Sequence, residues 1–356
     1  MPSSFPFFRL PVFIQFLVLK HLGLLELFYF SQISKRSKHI VKSLNLTLSK
    51  VYWDLASNVC TVELTAPNCT KFYSLFQTGH MIGTPSERIK VKGVVVPVAV
   101  TRERNGIPDC LHIQTNSVRE SWELMEKFTE YFLELFKVSK YAVRLPNVPN
   151  LRSWFMWKYT TRFEKVQVVG WLDGRLIGQL ISDDVKFVFE ELTVDGSLDI
   201  QVLVVEGVRY SGPLKMKELC VKNGCWLTLE AILNMDCERL YFHIATITYQ
   251  NSNAIIKKWL TGGFKNLKYL RLYYTHQLGQ DSENTKLDRV FEGIEYSTWV
   301  ANNRPENITL RFDSFGYRHT FQGGRDIRRS DGTVATVNFA DNDFVFYIWN
   351  HLSVNQ

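Results

Sequence analysis

The 356-residue sequence predicts a mixed α+β / α/β fold: three short N-terminal helices, an irregular body of alternating strands and helices, and a C-terminal antiparallel β cap. Three observations carry this. Nineteen of the 29 residues from Phe5 to Ile33 are apolar or aromatic, divided by helix punctuation. Short apolar runs then begin near Val166, Leu198, Leu219, Leu240 and Leu270, at intervals of 32, 21, 21 and 30 residues. From Ile308 onward the pattern becomes strand-like around Asp331-Gly332, a strong two-residue hairpin signal.

Composition sets the bounds. A hydrophobic fraction of 46% with 22% charged residues excludes wholesale disorder. The net charge of +7 favours acidic partners without naming one. Six cysteines with no C-x-x-C spacing are too sparse for a disulfide scaffold, and nothing selects a Cys60–Cys69 bridge, so reduced and mostly buried thiols are expected. Between Arg9 and Lys20 lie ten uncharged residues, half the roughly 20 that a spanning helix needs. Lys20 and Glu26 interrupt the apolar run and no small-residue cleavage site follows, so the expectation is a soluble chain, cytoplasmic and/or nuclear.

Taken in order, Pro11 suits the first turn of a helix, Gly23 ends it, and a second helix runs from Leu24 to about Ile33. Ser34 caps a third helix that carries Lys35, Arg36, Lys38, His39 and Lys42. The first helix has two apolar stripes, Ile14/Leu17/Val18/Leu22 and Val12/Phe16/Leu19. Three helices spanning about forty residues cannot cover such surface for each other. Either the rest of the chain covers it or a partner protein does, and the residues leave both covers open.

At these residues the chain resembles the F-box of the large nematode F-box families, over about Phe5 to Leu44. The points of resemblance are Leu10-Pro11, Val18-Leu19, Leu22, Glu26-Leu27 and Ile33-Ser34-Lys35-Arg36. One departure is the stretch Lys35-Arg36-Ser37-Lys38, where many F-boxes carry a Trp. The resemblance implies docking onto the Skp-family adaptor of an SCF (cullin–RING) ubiquitin ligase. The expected adaptor contacts are Leu10, Pro11, Ile14, Leu17, Val18, Leu22, Leu27 and Ile33, some of which must belong to the internal core.

Further along, strand-like runs occupy Cys60–Ala66, Lys90–Val100 and Leu111–Thr115. Ser117 to Val138 reads as the best helix, with Ser117 and Glu120 forming a capping box and Trp122, Met125, Phe128, Phe132, Leu135 and Phe136 on one face. A second helical stretch is expected near Leu151–Phe163, after the Pro146/Pro149 break. The strands from Val166 onward alternate with helix signals at Asp183/Asp184, Thr228 and Asn251/Ser252. One strand and one helix per 20–30 residues predicts a leucine-rich-repeat-like stack, irregular in its intervals.

The segment Lys217 to Leu272 resembles the F-box-associated domain, type 2, of the same nematode proteins. Its matching features are Lys217-Glu218-Leu219, Trp226-Leu227-Thr228-Leu229-Glu230, Met235-Asp236-Cys237, Trp259, Gly262-Gly263, Leu267 and Tyr269-Leu270. The tail reads as strands Thr309–Phe315, Arg318–Ile327, Val334–Phe339 and Phe344–Trp349, capping the stack. The domain expectation is therefore an F-box at 1–46, an α/β segment at 47–145 with the long helix 117–138, a repeat-like region at 146–290 holding the associated domain at about 206–274, and a β-rich cap at 291–356.

No P-loop, dinucleotide, zincin or nucleophile-elbow motif is present, and the eight histidines lack ligand spacing. No catalytic, cofactor-binding or metal-binding residue is expected, and no membrane or nucleic-acid partner. The basic clusters Lys35–Lys42 and Arg325/Arg328/Arg329 come with no nucleic-acid-binding motif. Two functions stay open. In one, the chain is a substrate-recognition subunit that joins the adaptor to an unidentified protein target. In the other, the F-box is an internal cap and the chain a non-ligase interaction scaffold.

Overall fold

The computed structural model describes residues 7–57, 59–79, 87–102, 108–146, 150–172, 175–176, 178–245, 248–274, 283–300, 307–312, 315–320, 324–340 and 343–349. Two compact units divide the chain, Met1–Leu145 and Pro146–Gln356.

The first unit opens with a 3-10 turn, Phe7–Arg9, and three helices: α1 (Val12–Lys20), α2 (Leu24–Ile33) and α3 (Lys35–Ser43). Ser34 caps α3 by accepting the Ser37 N–H at 3.0 Å. A mixed sheet follows. Its neighbours run in the order Tyr141–Pro146, Lys50–Asp54, Val59–Thr65, Lys71–Thr78, Asp109–Thr115, Val94–Thr101, Glu87–Val91. The long helix α4 (Val118–Leu135) packs on one face of this sheet. Ser117 accepts the Glu120 N–H at 3.1 Å, while Glu120 reaches back to the Asn116 N–H at 2.6 Å, one residue before the expected partner. Met125, Phe128, Phe132, Leu135 and Phe136 are buried as the periodicity requires, and Trp122 is half-buried.

The second face of that core comes from α2. Phe28 is fully buried, with ring centroids 5.4 to 6.3 Å from those of Phe132, Tyr131, Phe72 and Phe128. The Ser31 hydroxyl meets the Tyr131 hydroxyl at 2.8 Å, and Lys38 pairs with Glu134. α2 therefore shares a hydrophobic core with the α/β segment, and α3 packs beside it on α4.

The second unit contains the strands expected from the leucine spacing. Arg162–Val169, Thr193–Gln201, Glu218–Val221, Arg239–Ala245 and Tyr269–Tyr274 run parallel. Their register aligns Val166, Leu198, Leu219, Leu240 and Leu270 in one buried row. Val168, Ile200, Val221, Phe242 and Leu272 form a second row on the same face. Between them lie α5 (Ser182–Lys186) with a π turn (Phe187–Glu191), α6 (Leu229–Leu233) and α7 (Tyr249–Leu260). The link from Leu203–Val204 to Glu218 holds no helix, which accounts for one of the short intervals. A further helix, α8 (Glu283–Val290), precedes the tail. There Asp343–Trp349 adds antiparallel to Tyr269–Tyr274 and is followed outward by Val334–Ala340, Arg325–Arg328 and Ser297–Thr298.

Several expectations need correction. Leu151–Phe163 is not a helix: it forms 3-10 turns at Leu151–Ser153 and Phe155–Lys158, and Phe163 lies in a strand. Extended backbone at Trp154 breaks the helix (φ −67°, ψ 137°), and Trp157 Nε1 bonds the Leu151 carbonyl at 2.7 Å instead. Lys90–Val100 is a hairpin, turning at Lys92-Gly93 with φ +48° and +85°. Both signs are positive, as a type I′ turn demands, and a lysine there carries no turn signal. Lys50–Asp54 and Lys71–Thr78 are two further strands beyond the expected runs. α7 starts two residues before Asn251, capped by Thr248. In the tail, Arg318–Ile327 falls into two strands, Phe315–Thr320 and Arg325–Arg328. Arg329 and Thr333 still pair there, so Asp331-Gly332 belongs to a three-residue loop, not a two-residue turn. The six cysteines form no disulfide.

Phe28 bridges the helices to the sheet, so Phe28→Ala should lower the stability of the first unit by about 3–5 kcal/mol. The check is the shift of its urea unfolding midpoint, with an unchanged slope.

Candidate functional site

The N-terminal helices offer a surface whose polarity runs against the usual rule. α1 buries Gln15 and Leu19 and turns Phe13, Ile14, Leu17 and Val18 outward, over an arc of roughly 140° at 100° per residue. Gln15 is 2% exposed, whereas Phe13 is 69% exposed. The buried amide is satisfied, since Gln15 Nε2 donates to the Leu10 carbonyl at 2.7 Å and ties the Leu10-Pro11 corner to the helix. Val12 at the start of α1 and Ile33 at the end of α2 are also exposed, Ile33 at 68%. Each large apolar side chain left in water forgoes about 1.5–3 kcal/mol. A contiguous group of this size marks an interaction site.

Packing below decides which residues face out. The turn Phe7–Arg9 folds back so that Phe7 meets Phe30 at 5.1 Å and Phe8 stacks on it at 6.1 Å, with the Arg36 guanidinium 5.1 Å from the Phe8 ring. α2 is fixed by Phe28, and α3 by buried Ser37 and Val41. Of the expected adaptor contacts, Pro11, Ile14, Leu17, Val18 and Ile33 are exposed and Leu10 and Leu22 are half-buried. Leu27 is enclosed at 2% exposure and belongs to the core. Val12 and Phe13 were not among the expected contacts, yet they are exposed beside them; the signal available was their place in the first turn after Pro11. Arg9, Lys20, Lys35, Arg36, His39 and Lys42 are exposed on the same three helices and their preceding turn, giving them a basic border.

Ion pairs hold the platform. Glu134 of α4 receives both Lys38 and Lys92, and Glu26 of α2 receives Arg102. Burial would push the Glu134 carboxyl up, but the two ammonium donors outweigh it and hold it below the usual carboxylate range.

The second unit carries a different surface. On the face of the parallel strands opposite the leucine row, half-buried Tyr241, His243, Tyr273 and Tyr347 surround Arg271. Arg271 Nε donates to both Asp343 oxygens at 2.8 and 2.9 Å, and its guanidinium stands 5.1 Å from the Tyr241 ring. His243 stacks on Tyr273 at 4.9 Å. Tyrosine and arginine of this kind are what protein interfaces use as anchors. Alternation alone placed them on that face, but nothing in the sequence told it apart from an ordinary solvated one.

Among the described residues, no group of three or more His, Cys, Asp or Glu side chains could hold a metal, and no helix is long and apolar enough to cross a membrane. Burial pushes the Cys60 and Cys237 thiols up to about 12, which leaves them unreactive.

An outward apolar face on a helical platform, and a strand-and-helix unit with an aromatic and arginine surface, are features of a protein-interaction module. Comparison with known proteins gives the family. Residues 7–49 match the F-box domain, and residues 212–272 match the family described as F-box associated. Two uncharacterized proteins of Caenorhabditis elegans are similar. One is 20% identical over 342 residues, 94% of this chain and 74% of the relative. The other is 22% identical over 151 residues, 42% of this chain, and the match spans only 33% of that relative's length. No solved structure matches. The two matches, in this order and with these relatives, support a nematode F-box protein with an F-box-associated domain.

The matched residues of the associated domain are mostly core builders. Trp226, Leu227, Met235, Cys237, Trp259, Leu267, Tyr269 and Leu270 are buried, and Thr228 caps α6. Gly262 takes φ +89° just past α7, and a Cβ on Gly263 would fall 2.8 Å from the Lys258 carbonyl.

The Glu134 pairing has a pH signature. A depressed carboxyl stabilises the fold above its unfolded value, near 4.3, and that contribution is lost as pH falls through the folded value. Glu134→Gln should therefore cost stability at neutral pH, by at most about 1 kcal/mol because the pairs are solvent-screened. The gap between wild type and variant should close in acid, below pH ~4, in denaturation midpoints measured across pH.

Proposed function

We propose that this chain is a substrate-recognition subunit of an SCF ubiquitin ligase, docking on a Skp-family adaptor through α1 and the end of α2 and holding a protein target through the second unit. An F-box joined to an F-box-associated domain supports a substrate-receptor-type role in general. The observation that carries the specific reading is the outward apolar face of α1, for which the core beneath has no use. Leu10, Pro11, Ile14, Leu17, Val18, Leu22 and Ile33 make the contact in this reading, together with Val12 and Phe13. Leu27 is left out because it is enclosed. A patch of roughly 800 Å² per partner is expected.

The mechanism is proximity. A receptor that holds adaptor and target on one polypeptide raises the local concentration of target lysines near the charged conjugating enzyme, and it contributes no bond-making group of its own. We read the parallel ladder as a leucine-rich-repeat-like stack spanning most of 146–290, closed by the β-rich cap at 291–356. The Tyr241/Arg271/Tyr273 face is its candidate target surface.

The internal-cap reading has one observation in its favour, the burial of α2 against α4 through Phe28. That accounts for α2 and α3 but leaves α1 unexplained, so the receptor reading is preferred. Leu17→Lys should abolish co-purification with the adaptor while the melting temperature stays within about 2 °C of wild type, as surface substitutions do. Leu27→Lys should instead unfold the first unit. If Leu17→Lys were to unfold the chain while binding no adaptor in either form, the internal cap would be the better account.

A further inference from the structure

We infer that α1 is not independently stable in the free chain and is completed as a helix by the protein that covers it, so that docking and ordering of this segment are one event. The inference deepens the receptor reading and rests on it for the identity of the cover. Four observations carry it. α1 is nine residues long, well short of the ~12–15 at which isolated helices become even marginal in water. Its N-cap, Pro11, supplies no side-chain acceptor for the first-turn N–H groups. Val12, Ile14 and Val18 are β-branched and lose rotamer freedom in a helix. Its only fully buried side chains are Leu19 and Gln15, and the Gln15 hydrogen bond is local, back to the Leu10 carbonyl.

α2 and α3 are held very differently. α2 contributes Leu25, Leu27, Phe28 and Ser31 to the core, and α3 contributes Ser37, Val41 and the ion pair from Lys38 to Glu134. The three helices thus divide into a fixed pair and a loosely anchored one, and the loose one carries most of the exposed apolar surface. Helix formation and burial of that surface are then thermodynamically linked. A cover that binds only the helical form stabilises the helix, and any fraction of free chain in which α1 is unwound weakens apparent affinity in proportion.

Leu19 provides the test, because it anchors α1 from below and does not face the partner. In native-state hydrogen exchange on the full chain, the amides of residues 16–20 should exchange at least ~100-fold faster than those of residues 28–33, as in a locally opening segment. Adding a purified Skp-family adaptor should bring the two segments to similar protection. Leu19→Ala should weaken adaptor binding about tenfold or more by lowering the helical fraction, and leave the exchange of residues 28–33 and 121–132 unchanged. Protection of residues 16–20 equal to that of residues 28–33 in the free chain would overturn the inference, as would loss of protection throughout the first unit in Leu19→Ala. Fast exchange that the adaptor fails to slow would leave α1's weak anchoring established and instead sink the receptor reading.

Discussion

The burial of Phe28 is the contact on which the N-terminal half depends. Its ring lies among Phe72, Phe128, Tyr131 and Phe132, side chains from a strand and the long helix, and no other residue of the three opening helices penetrates as far among aromatic rings. Once Phe28 is seated, the rotation of α2 about its axis is fixed. Leu25 and Ser31 must then follow it inward, and Ile33 must point away. Ser34 starts α3 immediately after α2, so the orientation of α3 follows as well. The polar contacts at the edge, Ser31 with Tyr131 and Glu134 with Lys38 and Lys92, refine the placement; exposed pairs of this kind add little stability beside an aromatic core.

With that platform fixed, α1 faces a choice that its composition does not resolve. Almost any rotation would bury apolar side chains, and the one adopted buries a glutamine. The Gln15 amide shows how this is tolerated, since its Nε2 donates to the Leu10 carbonyl and is not left unpaired. Turning Phe13, Ile14, Leu17 and Val18 outward forgoes their burial in the isolated chain, which a fold selected for its own stability alone would not do. The basic border on α1 and α3 adds long-range attraction for acidic partners, screened within about 8 Å at physiological salt.

The second unit follows simpler rules. Strands of parallel register place every second residue on the same face, so one leucine row aligned across five strands commits ten positions at once. The polar face opposite is tied by Arg271–Asp343 and by two glutamine amides, Gln167 and Gln201, donating to Asp199. The family-matching residues sit mainly on the buried side or at helix caps, so the match records the architecture and not the target. The two Caenorhabditis elegans relatives are 20–22% identical to this chain.

How far the sequence reached can be stated residue by residue. Pro11, Gly23 and Ser34 marked the three opening helices, and the leucine intervals marked the parallel strands, because caps and periodicity are local properties of a chain. Lys92-Gly93 escaped notice because a lysine at positive φ is imposed by the pairing of its strands, and the Leu151–Phe163 segment because Trp154 takes extended backbone between two 3-10 turns. Leu17 and Leu27 show the division most clearly. Both are leucines on short apolar helices and both were expected adaptor contacts, yet one is exposed and the other lies in the core. Composition alone supplies more apolar surface than three helices can hide. Which side chains stay uncovered was decided only when Phe28 fixed the rotation of the platform, because a helix that is apolar on most faces carries no internal instruction about which face is in.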